Sequence, residues 1–171
     1  EYTGEVKWGV TTSQAYLPKD NSRDFAGGET ILDWLRQFAS KEEDDNTFLR
    51  GFLGRMLFSG EEVNKSVNVL SGGEKVRVML SKLMLLKSNV LVLDDPTNHL
   101  DLESISSLNE GLTNYKGSLL FASHDHEFIQ TIANHIIVIS KNGVIDRIGE
   151  TYDEFLENDE VQAKVKALWA D

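Results

Sequence analysis

From Leu70 onward, continuous apolar runs alternate with stretches in which apolar side chains return every three or four positions. The runs are "VLVLD" (90–94), "SLLFAS" (118–123) and "HIIVIS" (135–140). The spaced stretches are "GGEKVRVMLSKLMLLK" (72–87, with Val76, Met79, Leu80, Leu83 and Leu86 in register), "LESISSLNEGLTNY" (102–115) and "HEFIQTIAN" (126–134). Short apolar runs predict strands buried on both faces, and the wider spacing predicts amphipathic helices. Strands alternating with helices predict an α/β fold, a mostly parallel sheet with helices on both faces. "NGVIDRIG" (142–149) adds a hairpin partner to the last run.

The flanks have a different rhythm. Residues 4–18, rich in Val, Thr, Tyr and Trp and closed by Pro18, predict two short strands and a loop. "ETILDWLRQFAS" (29–40; Ile31, Leu32, Leu35, Phe38) and "DNTFLRGFLGRMLFS" (45–59; Phe48, Phe52, Leu53, Met56) predict two amphipathic helices, a small helical subdomain. "YDEFLENDEVQAKVKALW" (152–169) predicts one helix with Phe155, Val161, Val165 and Leu168 on a side. The division is therefore one domain in four stretches: strands over 1–18, a helical subdomain over 19–69, an α/β core over 70–150 and a C-terminal helix over 151–171.

Composition narrows the function classes. A chain of 171 residues, 40% of them hydrophobic, suits one domain with a real core. The net charge of −11 disfavours nonspecific binding to nucleic acid, so any anion site must be built locally. The run "KEEDDN" (41–46) is most simply a solvated loop. No cysteine is present, which removes disulfides and thiolate metal sites and fits a reducing, cytoplasmic setting. No apolar run approaches a membrane span, and "EYTGEVKWGV" lacks the pattern of a signal peptide.

Candidate chemistry gathers where the strands end. In open α/β sheets ligands bind at the carboxyl ends of the strands. Asp94 and Asp95 stand there side by side before Pro96. Two adjacent carboxylates are accommodated if one meets Mg²⁺, which favours hard oxygen ligands, and the other orients or deprotonates a water. The plainer reading is an Asp-Pro turn. Ser71-Gly72-Gly73-Glu74 satisfies a helix capping box. Its two consecutive glycines also leave bare N–H groups at a helix start, where an anion can approach. His124 follows "SLLFAS" and so belongs to the same edge, as a phosphate- or water-facing imidazole or as a loop histidine beside the helix cap Asp125. His99, His126 and His135 read as structural, and the histidine spacing fits no zinc site.

Taken together, "LSGGE", "VLVLDDPTNHLD" and "LLFASHDHEF", in this order, resemble the ATP-binding-cassette (ABC) ATPases over nearly the whole chain. "PTNHLD", "SHDHEF" and "YDEFLE" resemble the ABC-F subfamily more than a membrane transporter. The resemblance implies a P-loop-NTPase-like core and residue roles. Ser71, Gly72, Gly73 and Glu74 would form the signature that touches ATP on an opposite cassette. Asp94 would be the Walker B acid at Mg²⁺ and Asp95 the catalytic carboxylate. Asn98 to Asp101 would form the D-loop, His124 the switch, and Gln14 the Q-loop glutamine that reaches the metal and the attacking water. The implied partner is a second cassette, of the same or another chain, together with the ribosome for an ABC-F protein or a membrane domain for a transporter.

Three departures qualify this. The sequence holds no G-x-x-x-x-G-K-[ST], the loop that wraps phosphates. The chain then reads as a piece that starts past that loop, unable to hydrolyse ATP alone, or as a degenerate cassette. Asp95 is one methylene shorter than the usual glutamate, so hydrolysis is slower or the loop advances. His126 stands where ABC-F proteins often carry arginine. Three functions follow in descending order: an ABC-F ATPase acting on the ribosome in translation or antibiotic resistance, with this stretch placed in its second cassette; the ATPase subunit of a transporter; and a non-enzymatic interaction module.

Overall fold

The computed structural model describes residues 3–169, which divide into two compact units between Ser123 and His124. The division falls inside the stretch 70–150 because the strands belong to two sheets, not one.

In the first unit, β1 (Gln14–Leu17), β2 (Val90–Asp94) and β3 (Ser118–Ala122) form a parallel sheet in the order β1-β2-β3. The register aligns Leu17 with Leu93, and Asp94 with Ala122. Alternation sorts the side chains: Ala15, Leu17, Leu91 and Leu93 are buried on one face, while Tyr16 and Leu120 on the other are more than half exposed. The apolar runs predicted burial on both faces; the β-branched and aromatic residues of the second face favour a strand with or without cover.

Among the described residues, only one of the two strands foreseen before Pro18 is present. Val6, Trp8 and Val10 are exposed, and a turn closes with the Thr12 N–H donating to the Gly9 carbonyl. Residues 3–13 have the composition of a strand but no neighbouring strand to supply ladder hydrogen bonds, so propensity alone does not make one.

The helical subdomain is built on α1 (Ile31–Arg36) and α2 (Asn46–Arg55), with 3₁₀ turns at Ser22–Phe25, Gly60–Asn64 and Val67–Val69. Both helices start at side-chain caps, Thr30 accepting from the Asp33 N–H and Asp45 from the Phe48 N–H. Trp34 packs between Phe25 and Phe38, and its indole N–H donates to the Asp24 carbonyl at 2.8 Å. On and just after α2, Phe52, Leu53 and Met56 are buried as the spacing predicts, while Leu49 is fully buried in place of Phe48, which is 38% exposed. Helix α3 (Gly72–Leu85) leads from this lobe to β2, and α4 (Leu102–Thr113) joins β2 to β3.

The second unit starts with α5 (His126–Ile132), followed by the antiparallel pair β4 (His135–Ser140) and β5 (Gly143–Ile148). The predicted hairpin is thus present, in its own two-stranded sheet. The foreseen terminal helix is two: α6 (Tyr152–Glu157) and α7 (Asp159–Trp169). Asn158 separates them by leaving helical geometry and accepting from the Val161 N–H with its side chain, an N-cap in mid-pattern.

Candidate functional site at the carboxyl edge of the sheet

Asp94 is the last residue of β2, the central strand, and lies half-buried on the open face of the sheet. Its carboxylate takes no hydrogen bond and no ion pair from the described residues, so its lone pairs are free for an incoming ligand. Asp95 follows in the left-handed region, φ 54°. Aspartate tolerates that conformation better than most residues. The Asp95 N–H donates to the Ala122 carbonyl at 2.9 Å, extending the β2–β3 ladder by one bond past the strand. Pro96, fully buried, ends the ladder.

The turn from Asp95 to Asp101 is held by its backbone. The Asn98 N–H donates to the Asp95 carbonyl at 3.1 Å, and the Leu100 N–H to the Thr97 carbonyl at 3.2 Å. His99 is a second left-handed residue, φ 64°. Asp101 caps α4: its Oδ1 accepts from the Ser104 N–H at 2.8 Å, and the Ser104 hydroxyl and N–H hold its carboxyl below the usual carboxylate range. The Asn98 side chain stands half-buried in the turn.

Ser71 caps α3 through the predicted capping box. Its hydroxyl accepts from the Glu74 N–H at 3.2 Å, and the Ser71 N–H donates to Glu74 Oε2 at 2.8 Å. Lys65 binds the other oxygen, Nζ to Oε1 at 3.0 Å. Ser71 and Gly72 are exposed, leaving the helix start open to an anion. Gly73 faces inward: a Cβ there would lie 2.6 Å from the His99 carbonyl oxygen, whereas one at Gly72 would meet the His99 ring at 3.5 Å. The signature-like loop and the turn after the acid pair are therefore in backbone contact, through a residue that looks merely structural in the sequence.

The capping box has a pH signature. Burial pushes the Glu74 carboxyl up, but the Ser71 N–H, the Lys65 ammonium and the Ser71 hydroxyl together outweigh burial and hold it below the usual range. A depressed folded-state value means the stabilisation is complete above the unfolded value of about 4.3 and fades as pH falls through the folded one. Glu74→Gln is expected to lower the urea midpoint at pH 7, and its gap from the parent should close as pH drops below about 4. A gap independent of pH from 7 to 3 would contradict this.

Gln14 does not join the site. It opens β1 opposite Val90, at the amino end of the sheet. Four residues of strand, about 13 Å at 3.3 Å per residue, separate that level from Asp94. Its amide is also engaged locally, donating to Thr12 Oγ1 at 2.8 Å. The Q-loop match sets Gln14 just after the second of the two strands expected before Pro18, whereas Gln14 begins β1 and so lies at the strand's other end. The first side chain past β1 and Pro18 is Lys19, and its Nζ lies 3.1 Å from Asp95 Oδ2. The signal was present: a proline closes a strand, and the next residue is the one delivered to the edge.

His124 is exposed, two residues past β3, and opens the second unit. Asp125 caps α5 by accepting from the Phe128 N–H at 2.9 Å. His126 pairs with Asp153 at 3.0 Å and packs near the Tyr152 ring.

A metal-binding cage is not what this edge offers. Among the described residues no group of three or more His, Asp or Glu could enclose an ion. A lone carboxylate with free oxygens suits Mg²⁺ that arrives with phosphates and keeps its waters. The model of the ABC transporter family matches residues 7–98, a span running from before β1 through α3 and the acid pair to Asn98. This chain belongs to the ABC transporter family. Members of this family generally bind ATP with Mg²⁺ and hydrolyse it. The cassette is 62% identical over 170 residues to the Bacillus subtilis uncharacterized ABC transporter ATP-binding protein YkpA, and 43% over 156 residues to the Escherichia coli O157:H7 probable ATP-binding protein YbiT. Those alignments cover 99% and 91% of this chain but 31% and 29% of the relatives. ABC-F members are among the relatives: Arabidopsis thaliana ABC transporter F family member 2 is 41% identical over 70% of this chain and 17% of its own length. The cassette also shares its fold with the archaeal ribosome recycling factor aABCE1, solved in complex with the ribosomal stalk protein aP1 (TM-score 0.68, 21% identity, 90% of this chain and 31% of that one).

Proposed function

We propose that this chain is part of an ATP-hydrolysing cassette of the ABC-F type within a longer two-cassette protein that works in the cytoplasm on the ribosome, in translation or antibiotic resistance. The observation that carries the reading is the edge itself: an unpartnered Asp94 ending the central strand, followed by Asp95 in a left-handed backbone. Asp94 holds Mg²⁺ with the ATP phosphates. Asp95 takes the proton of a water whose oxygen bonds to the terminal phosphorus as the bond to ADP breaks. Ser71, Gly72 and Gly73, with Glu74 fixing the cap, present N–H groups to ATP held on the second cassette. Asn98 and Asp101 shape the turn at the seam, and His124 is the switch histidine. The phosphate-wrapping loop, which this sequence does not contain, would be supplied by the rest of that longer protein.

The ribosome assignment draws support from the F-family relatives and from the aP1-bound aABCE1 fold neighbour. The transporter wording in the names of the family and of YkpA favours a second reading, the ATPase subunit of a membrane transporter. Co-sedimentation of the full-length protein with ribosomes under non-hydrolysable ATP separates the two: ribosome binding supports ABC-F, and association only with a membrane-spanning partner supports the transporter.

Without a phosphate-wrapping loop, and with a net charge of −11, the isolated chain is expected to show no Mg-ATP binding in the micromolar range by calorimetric titration. A micromolar dissociation constant would overturn the division of the site between this stretch and the rest of the protein.

A further inference from the structure

The nucleotide reading of the edge leaves one cation without a role. Lys19 sits two residues past Leu17, and Asp95 two residues past Leu93; continuing the β1–β2 register brings them level. Lys19 Nζ approaches Asp95 Oδ2 at 3.1 Å, and this is the one ion pair of the Asp95 carboxylate among the described residues. The Asp95 side chain is 17% exposed, whereas that of Lys19 is 60% exposed. An ion pair with so exposed a lysine contributes little to folding, so stability does not explain it. Its base is fixed all the same, because Leu17 is buried and Pro18 restricts the backbone between strand and lysine.

We propose that Lys19 is the positioning residue for Asp95 in ATP hydrolysis. The inference rests on the reading of Asp95 as the water-facing acid. An aspartate reaches less far than a glutamate and has fewer torsions to correct its aim. Lys19 anchors Oδ2 from the β1 side while the Asp95 N–H is tied to Ala122 on the β3 side. The carboxyl is thereby held between its two neighbouring strands, with Oδ1 left to face a water. A carboxylate held in one orientation keeps its water in line for attack, and loss of such orientation lowers the chemical step without weakening nucleotide binding.

The test is steady-state ATP turnover by the full-length protein, with Asp95→Asn defining how much turnover this site supplies. Lys19→Met is expected to remove about nine-tenths of that share with KM unchanged, less than the roughly 10²-fold cost of a full misplacement because the Asp95 N–H stays tied to Ala122. Lys19→Arg should restore most of it. Adding Lys19→Met to Asp95→Asn should cost nothing further. A Lys19→Met protein with full kcat, with raised KM and normal kcat, or with no rescue by arginine overturns the inference. Urea midpoints equal to the parent's establish that a lost kcat is not lost folding. If Asp95→Asn stops turnover and Lys19→Met does not alter it, Lys19 alone is misassigned. If Asp95→Asn leaves turnover intact, the underlying reading of Asp95 fails.

Discussion

Asp95→Asn in the full-length protein is expected to cut ATP turnover at this site by about 10²–10⁴-fold, the range that a positioned general base supplies. ATP binding should survive. The amide is nearly the same size as the carboxylate and can occupy the same left-handed turn, since asparagine shares aspartate's tolerance of positive φ. The backbone bond from residue 95 to Ala122 does not depend on the side chain and remains. What disappears is the negative charge: the proton acceptor for the water and the partner of Lys19. With binding intact and the chemical step blocked, the protein should accumulate with ATP bound and its cassettes closed. Phosphate release assays check the first part, and trapped nucleotide after rapid desalting checks the second. Turnover unchanged from the parent would remove Asp95 from the proposed role.

Gly73→Ala is the second large effect. Its methyl would be placed 2.6 Å from the His99 carbonyl oxygen, far inside contact distance, and the obstacle is backbone. No rotamer relieves it, so either the start of α3 or the turn 97–100 must move by the better part of an ångström. The turn is resistant, because it is tied at Asp95, Thr97 and Asp101. Forced overpacking of this kind costs about 1–3 kcal/mol of stability. A shift of that size in a loop that aligns a reacting group costs about 10²-fold in rate. Gly72→Ala serves as the control, since its methyl meets the His99 ring at an ordinary 3.5 Å. Urea unfolding should therefore separate the two variants, with Gly72→Ala near the parent. Equal midpoints for both would mean that the His99 contact does not constrain the loop.

Much of this architecture is written in local pattern. The strand Val90–Asp94 has the bounds its apolar run predicts, because a run that ends in an acid and a proline has nowhere else to stop. The start of α3 was equally legible, since a Ser and a Glu three apart satisfy each other's neighbours wherever they occur. Features set by non-local geometry were less so. Gln14 reads as the residue that follows a strand, yet it begins one, since residues 3–13 carry strand-like composition without a partner. The left-handed backbone at Asp95 and His99 belongs to residue types that tolerate positive φ but do not require it, so the sequence gives a weaker signal there than glycine would. Leu49 rather than Phe48 enters the core on α2, which packs against α1 and α3, and the local spacing admits either residue. Asn158 divided the terminal helix because its side chain competes for a backbone N–H within an otherwise continuous apolar spacing.

The central claim is that the acid pair and the loop at Ser71 both stand beside the metal-bound phosphates of ATP. Iron-directed cleavage measures this directly: Fe²⁺ takes the place of Mg²⁺ on ATP in the closed Asp95→Asn protein, and the radicals it generates with peroxide and ascorbate cut the nearest backbone. Cuts within this chain should map to residues 94–95 and, from the nucleotide on the facing cassette, to 71–74, and both should vanish with excess Mg-ATP. Cuts that leave these two stretches intact while falling elsewhere in the chain would contradict the account.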